Sequence, residues 1–289
     1  MAAVTAEHAD RRIAGAGTSA AAWLGDAALA AVPAVNLAGL VPAGARAVLV
    51  APHPDDEVLA WGGLLQLLAA RGGPPGLLVA VTDGEASHPH SARWPRERLR
   101  AERPRETARA LSVLGGGDVH MARLGLTRLG LARLGHADGG VTAAQGILTE
   151  QLGAMLAPGD VVFTTWRHDG HPDHEACARA CLAAAARRGA SVIETPVWGW
   201  HWNSPEHNSM PLARARTLAL SAPQLALKRA ALAMFVSQLE ADTSDIGDTG
   251  DTGDTGDTGD HRDSGAAAAP ILPASALERL LTPFELFFL

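Results

Sequence analysis

Lysine, cysteine and long apolar segments are all scarce in this sequence. One of the 24 basic residues is a lysine, and two cysteines occur in 289 residues. A membrane-spanning helix needs ~20 uninterrupted apolar residues, whereas the apolar stretch 27–40 is broken by Pro33 and Asn36. The first twelve residues carry several charges instead of the continuous apolar region of a secretory signal. We therefore expect a cytoplasmic protein without a membrane span.

The charge distribution argues against nucleic acid or an anionic membrane as a partner. Residues 242–263 contain eight aspartates and one arginine, and so account for the whole formal net charge of −7. The rest of the chain is formally neutral and predicts no basic surface for a polyanion. The arginines of 93–105 are more typical of a solvated helix face.

Length and composition predict one folded domain over 1–289, interrupted by a disordered insertion at about 242–265. A chain that is 47% hydrophobic and 19% charged can bury a sizeable core. Gly-Asp-Thr repeats with a period of three run from 247 to 260, with too little apolar surface to offset the entropy cost of ordering. A calcium-binding turn array is the alternative, although the repeat lacks the apolar position by which such repeats stack.

The first cluster of chemically active side chains is Ala-Pro-His-Pro-Asp-Asp-Glu at 51–57. It lies between the apolar run 47–50, which predicts a buried parallel strand, and an apolar helix predicted over 58–70. The two prolines stop either element from continuing through the turn. The charged residues therefore lie at the carboxyl end of a strand, where open α/β sheets bind ligands.

Within this cluster the spacing separates the possible roles. His53 and Asp56 are three residues apart and can converge on one ion, which leaves Asp55 free as a base. Glu57 is the weaker candidate, since favourable electrostatics at a helix start would explain it.

The downstream cluster Gly-His-Pro-Asp-His repeats this arrangement. It lies between a predicted strand at 161–165 and a helix predicted from about 173 to 188. Of His171 and His174, one can ligate a metal and the other can donate a hydrogen bond to a developing oxyanion, oriented by Asp173. A single cluster of this kind could be a capped turn, but two favour a catalytic zinc site with three ligands and an open position for water.

Of three other features, the first two allow two interpretations each. Cys177 and Cys181 lie four apart on the helix after His174, so they are either core residues or part of a His-Cys-Cys metal site. Alternation places the indoles of 198, 200 and 202 on one face of an extended segment, as core packing or as a stacking wall for a sugar. The apolar tail 271–289 could form a helix that docks on the body.

At these two clusters the sequence resembles the LmbE/PIG-L family of zinc-dependent N-deacetylases, which remove acetyl groups from N-acetylglucosamine-type sugars. Pro-His-Pro-Asp-Asp-Glu and His-Pro-Asp-His carry the resemblance. It extends over most of the chain between about 45 and 240, through the segments 81–85, 103–115, 135–139 and 228–238.

The resemblance implies roles for the residues of both motifs. His53, Asp56 and His174 would be the zinc ligands. Asp55 would be the general base, and His171 would stabilise or protonate the tetrahedral intermediate.

The resemblance also implies three supporting residues. Asp173 would orient His171, and Arg103 and Asp138 resemble positions that contact the sugar in some members. The sequence departs from the family pattern where Arg-Leu-Gly recurs at 123, 128 and 133, which predicts a lengthened loop before Asp138.

The expected fold is an α/β, three-layer αβα sandwich with a mainly parallel, Rossmann-like sheet. No dinucleotide is expected, because a Gly-x-Gly-x-x-Gly turn does not follow the first strand. The expected activity is removal of an N-acetyl or other N-acyl group from a small-molecule amino sugar or its glycoside, with zinc or another divalent metal as cofactor. The alternatives are an amidase of a larger sugar-thiol or natural-product conjugate, and a non-catalytic zinc-binding protein.

Overall fold

The computed structural model describes residues 11–71, 74–115, 129–242 and 268–289. A seven-stranded sheet with the order β3-β2-β1-β4-β5-β7-β6 runs through its centre. The first five strands are parallel, whereas β7 pairs antiparallel with both β5 and β6. The strands are β1 Ala47–Ala51, β2 Gly76–Thr82, β3 Leu129–His136, β4 Val161–Thr165, β5 Ser191–Thr195, β6 Ala215–Ala219 and β7 Phe284–Phe288.

Helices cover both faces of the sheet. They are α1 Ala20–Leu24, α2 Ala27–Ala30, α3 Leu37–Leu40, α4 Asp56–Ala70, α5 Arg96–Leu114, α6 Val141–Met155, α7 Pro172–Arg188, α8 Gly199–Trp202, α9 Ala222–Leu232, α10 Val236–Leu239 and α11 Ala274–Leu280. Helices α6 and α7 pack together on one face, and α9 packs against α4 and α5 on the other. The predicted αβα sandwich is confirmed. Within the described ranges, every helix is too short or too polar to cross a bilayer.

Strand β1 is central because it contributes to both cores. Val48 and Val50 pack into the core beneath α6 and α7, whereas Ala47 and Leu49 pack into the core beneath α4 and α9. This alternation follows from the two-residue period of a strand. It explains why the run is apolar at every position.

Helix α4 is broken near its start, where a single apolar helix was predicted. Trp61 has a non-helical φ of −135°. The carboxylate of Glu285 accepts the nearby amides of Gly63 and Leu64 at 2.7 and 3.0 Å. Lys228, the one lysine of the chain, donates to the same carboxylate at 2.8 Å. The C-terminal strand therefore anchors the helix that begins in the first motif.

The C-terminal tail is only partly the helix that the sequence predicted. Helix α11 is followed by β7, and Phe287 and Phe288 are fully buried. The strand is favoured because β5 and β6 offer it backbone partners and a buried site in the sheet. The repeat insertion falls in 243–267, outside the described residues. A β-bridge between Asp242 and Ala268 brings its two ends together.

The lengthened loop predicted before Asp138 is wrong for residues 129–135. They form most of edge strand β3, which pairs in parallel with β2. The second and third Arg-Leu-Gly units fall largely in this strand because an edge position tolerates polar and small residues. The first unit lies outside the described residues.

The core interpretation of the cysteines is confirmed. Cys177 and Cys181 are fully buried and pack with the valines of β1 and β4. Burial raises the pKa of Cys181 to about 12. Among the described residues, the groups that could hold a metal include neither cysteine.

Candidate active site

The two motifs lie side by side at one edge of the sheet because β1 and β4 are adjacent parallel strands. The turn after β1 carries His53, and the loop after β4 leads to His171, which caps α7. The ring centroids of His53, His171 and His174 lie 4.8 to 5.3 Å apart. The structure thus brings the predicted histidines into one cluster.

Asp56 lies between the two histidines that were predicted as its co-ligands. Its Oδ2 is 3.3 Å from Nδ1 of His53 and 3.2 Å from Nε2 of His174. That Nε2 is buried and makes no hydrogen bond to any residue of the described ranges. A ring nitrogen facing a carboxylate oxygen without a hydrogen bond fits two ligands of a shared cation. A mixed imidazole and carboxylate set suits zinc and other first-row divalent ions.

His171 is a further possible member of this set. Its ring nitrogen lies within 4.8 Å of ligand atoms on His53 and His174, so the three histidines form a group that could hold a metal ion. His53 with Asp138 and Asp173 forms another such group. Neither group includes Asp56, so among the described residues they are alternatives to the predicted ligand set.

The charges in this cluster are strongly coupled. Burial opposes the charged imidazole of His174, but Asp56 and Asp169 raise its pKa to about 9. Burial likewise opposes the Asp56 carboxylate, yet His174 and His53 hold its pKa far below the usual range. A cluster that stabilises paired opposite charges in this way would also stabilise a cation bound to the carboxylate.

Asp169 supports His174 and was missed by the sequence analysis. It is fully buried, and its Oδ2 lies 2.8 Å from Nδ1 of His174. The same carboxylate accepts the backbone N–H groups of Val197, Trp198 and Gly199 at 2.8 to 3.0 Å. A proton on Nδ1 leaves Nε2 with the lone pair that a metal ligand needs. The signal in the sequence was an aspartate in the loop between β4 and the second motif.

Two carboxylates support His53 from its other side. Nε2 of His53 lies 3.2 Å from Oδ1 of Asp138 and 3.3 Å from Oδ2 of Asp173. Although burial opposes the charged ring, these carboxylates and Asp56 raise the pKa of His53 well above its usual value. Asp138, predicted as a sugar contact, is here directed to His53 and to the N–H of Ala86, 2.7 Å away.

Asp173, predicted to orient His171, contacts that ring through its backbone N–H, whereas its carboxylate points elsewhere. Its N–H donates to Nδ1 of His171 at 3.2 Å. Its carboxylate instead accepts the N–H groups of Gly139 and Val141 and faces His53. The residue therefore joins the loop before α6 to the histidine cluster.

Asp55 lines the pocket in a backbone conformation that is uncommon for a residue other than glycine, with φ of 109°. Burial raises the pKa of Asp55 to about 7, although Arg103 opposes the rise. A pKa near 7 suits a base that works at neutral pH. The carboxylate has one ion-pair partner, since Nη2 of Arg103 donates to its Oδ2 at 2.9 Å.

Arg103 was predicted as a sugar contact, and the structure places it beneath Asp55 with 3% of its side chain exposed. It also donates to the carbonyl oxygens of Pro54 and Gly84. A Cβ on Gly84, which has φ of +65°, would lie 1.9 Å from the guanidinium. Arg103 therefore ties the first motif to the loop after β2.

Glu57 is more than a favourable charge at a helix start. Its Oε2 accepts the N–H of Asp55 at 3.1 Å, and the residue is 1% exposed. Burial raises the pKa of Glu57 to about 8. Glu57 thus supports the unusual backbone at Asp55.

His171 is a neutral imidazole whose Nε2 carries the ring proton. Burial, together with the charges of His174 and His53, lowers the pKa of His171 to about 3. Because its Nδ1 accepts the N–H of Asp173, the ring proton resides on Nε2. This arrangement leaves Nε2–H as a hydrogen-bond donor.

The pocket that contains these residues has a volume of about 350 Å³. Its wall also includes residues that no local motif predicted, namely Leu59, Ser87, Gln238, Ile271 and Leu272. Ile271 and Leu272 follow the repeat insertion in the sequence. The pocket wall is therefore assembled from distant parts of the chain.

The three tryptophans do not share one face, as an extended segment would require. Trp198 lines the pocket, Trp200 packs edge-to-face on Trp23 at 5.2 Å, and Trp202 stacks on Trp166 at 5.8 Å. The segment forms the helical turn α8, in which residues two apart point in opposite directions. One indole is thus available to a ligand in the pocket.

Comparison with known proteins identifies one family. Residues 48–185 match the model of the family described as PIG-L: GlcNAc-PI de-N-acetylase. This match confirms the resemblance that the two motifs predicted. No curated protein matches the chain.

Several solved structures are similar in fold. The conserved protein TT1542 from Thermus thermophilus is 24% identical, with a TM-score of 0.46, over 67% of this chain and 79% of that one. The A40926 pseudoaglycone deacetylase Dbv21 is 23% identical, with a TM-score of 0.49, over 68% and 83%. N,N'-diacetylchitobiose deacetylase from Pyrococcus horikoshii is 17% identical, with a TM-score of 0.40, over 65% and 68%.

Proposed function

Because residues 48–185 match the PIG-L family model, we propose that this protein is a metal-dependent amidohydrolase that removes the N-acetyl group of an amino sugar or its glycoside. One observation carries the proposal: a carboxylate between two histidines shares a pocket with a second carboxylate and a third histidine. A structural metal site has no use for such spare acid and base groups, whereas a hydrolytic site needs them.

The residues that would hold the metal are His53, Asp56 and His174. The orphaned Nε2 of His174 and the mixed donor set fit a divalent ion, zinc included. When bound, such an ion would acidify a water molecule and polarise the amide carbonyl.

The remaining side chains supply proton transfer and charge stabilisation. Asp55 accepts a proton from the attacking water while the water oxygen bonds to the carbonyl carbon. Nε2–H of His171 donates a hydrogen bond to the carbonyl oxygen as negative charge develops there. Asp55 then returns its proton to the leaving nitrogen, so that the C–N bond breaks to give acetate and a free amine.

A neutral sugar suits this pocket. The chain outside 242–263 is formally neutral, so no feature of its composition calls for a polyanion. Trp198 presents an indole in the pocket wall, and indoles bind the apolar faces of ligands that also carry polar groups. These features support an amino sugar as substrate, and the family match supports the N-acetyl group.

The proposal is tested by measuring bound metal and acetate release together. We expect His53→Ala and His174→Ala to lose metal and Cys177→Ala to keep it. Asp55→Asn should keep metal but lose about 10²–10⁴-fold in turnover, because asparagine cannot accept the water proton. Stoichiometric metal in both histidine variants would refute the ligand set.

The matched control for Asp55→Asn is Asp160→Asn. Asp160 is also buried, but it precedes β4, at the opposite end of that strand from the site, and pairs with Arg46. We expect Asp160→Asn to keep most of its turnover when folded. Turnover of Asp55→Asn within a few-fold of this control would show that Asp55 is not the base.

A further inference from the structure

Gln238 is a buried polar residue in the wall of the candidate active site. It lies in the short helix α10, is 1% exposed, and lines the same pocket as Asp55 and His171. A glutamine side chain offers two N–H donors and one oxygen acceptor. The orientation of its amide therefore decides which of these groups a ligand meets.

A relay of hydrogen bonds determines that orientation. The Ser237 hydroxyl donates its one proton to Oε2 of Glu106 at 2.7 Å, and the Ser237 N–H donates to Oε1 at 2.8 Å. The hydroxyl oxygen of Ser237 must then act as an acceptor, and Nε2 of Gln238 lies 2.9 Å from it. The opposite amide orientation would place two oxygens at this distance without a proton between them. Gln238 consequently has Nε2 toward Ser237 and Oε1 on the other side.

Oε1 of Gln238 is an acceptor without a donor. It is buried, and none of the described residues donates a hydrogen bond to it. Buried polar atoms are nearly always paired, so an unpaired one in a pocket wall indicates a missing partner. That partner must carry an N–H or O–H group.

We infer that Oε1 of Gln238 accepts a hydrogen bond from a hydroxyl group of the substrate and so selects a neutral polyol. This inference rests on the proposed function, since it assigns a recognition contact in the same pocket. A phosphate or carboxylate would be repelled by the carbonyl oxygen at this position. Arg103, which also reaches the pocket, is already paired with Asp55. The contact therefore favours a sugar ring over an anionic group.

The environment of Gln238 strengthens the contact. Leu272 donates its backbone N–H to the Gln238 carbonyl oxygen at 2.9 Å, and Leu272 also lines the pocket. A hydrogen bond next to apolar side chains competes less with water. Removing the substrate hydroxyl should therefore reduce kcat/KM.

The experiment combines a substrate series with a matched pair of variants. Acetate release is measured with methyl N-acetylglucosaminide and with its 3-, 4- and 6-deoxy analogues. With the unaltered protein, we expect one analogue to lose about tenfold or more in kcat/KM, the effect of one lost hydrogen bond and a stranded acceptor. In Gln238→Met, kcat/KM for the parent sugar should fall by a similar factor, and the analogue should then have the same kcat/KM as the parent.

Gln145→Met is the control, because Gln145 lies on α6 outside the pocket and contacts Arg179. It should retain the discrimination of the unaltered protein. If Gln238→Met still hydrolyses the parent sugar and the ratios of kcat/KM between parent and deoxy analogues are unchanged, the Gln238 assignment alone is overturned. No acetate from the parent sugar with the unaltered protein would instead overturn the proposed function and the assignment with it.

Two measurements keep the inference testable if Gln238→Met does not fold. In the unaltered protein, deoxy analogues that all match the parent within twofold would overturn it. Ser237→Ala removes the nearer of two acceptors of Nε2, at 2.9 Å, and leaves the Ser87 hydroxyl at 3.4 Å. It should therefore weaken the discrimination between the parent sugar and its deoxy analogue only partially. Full discrimination in folded Ser237→Ala would refute the role of the relay.

Discussion

Replacing Asp169 by asparagine should switch the tautomer of His174. In the native site, Oδ1 accepts the N–H groups of Val197 and Gly199, while Oδ2 accepts the Trp198 N–H and faces Nδ1 of His174. An asparagine that keeps the first pair must direct its NH₂ group at His174. The ring would then accept at Nδ1 and carry its proton on Nε2, the nitrogen that the metal needs.

The size of the effect follows from these contacts. Loss of an orienting carboxylate behind a histidine ligand typically costs about 10–100-fold in metal affinity, or roughly 1.4–2.8 kcal/mol. Without metal, the variant also leaves the Trp198 N–H facing a donor inside the protein. That should reduce the free energy of unfolding by about 1–3 kcal/mol.

The assay is competition for zinc against a chelator of known affinity, together with urea unfolding of the metal-free protein. Asp160→Asn is again the control, because Asp160 is 3% exposed and is also hydrogen-bonded to backbone. It should lower the unfolding free energy without changing zinc affinity. Equal zinc affinity in the two folded variants would refute the proposed role of Asp169.

Three further predictions concern the framework around the site. Lys228→Met should lower the free energy of unfolding, measured by urea denaturation, by about 3–5 kcal/mol, because it leaves the Glu285 carboxylate buried without a cation. Adding Glu285→Gln should restore part of this loss, and a loss below about 1 kcal/mol would contradict the reasoning. The Cys181 thiol should resist alkylation in the folded protein and react in denaturant, since it is buried and its pKa is about 12. Mass spectrometry follows the labelling, and rapid labelling of Cys181 in the native protein would contradict the prediction. Deleting 247–260 should change the melting temperature little, because the Asp242–Ala268 bridge already joins the ends of the insertion. Loop length changes the free energy of loop closure by only ~0.6 kcal/mol per doubling. A large drop in melting temperature would show that the repeat contributes to folding.

The sequence by itself determined the fold class and the location of the site. Apolar runs of strand length, interrupted by prolines and followed by charged residues, predict strand–turn–helix units from local information alone. Parallel strands end at the same edge of a sheet, so the motifs at 51–57 and 170–174 had to meet once β1 and β4 were neighbours. The ligand set, in contrast, stays a prediction that the geometry accommodates.

The tertiary structure alone decided which groups support those residues. Asp169 lies only five residues before His174, but the distant N–H groups of 197–199 hold its carboxylate in place. Arg103 pairs with Asp55 across 48 residues of sequence. The tryptophans diverge because one turn of helix replaced an extended segment. Gln238 reaches the pocket only because α10 packs there, and its amide is oriented by Ser237, which the distant residue Glu106 holds in place. Such contacts depend on how separate elements pack, and a sequence read along the chain carries information mainly about neighbours.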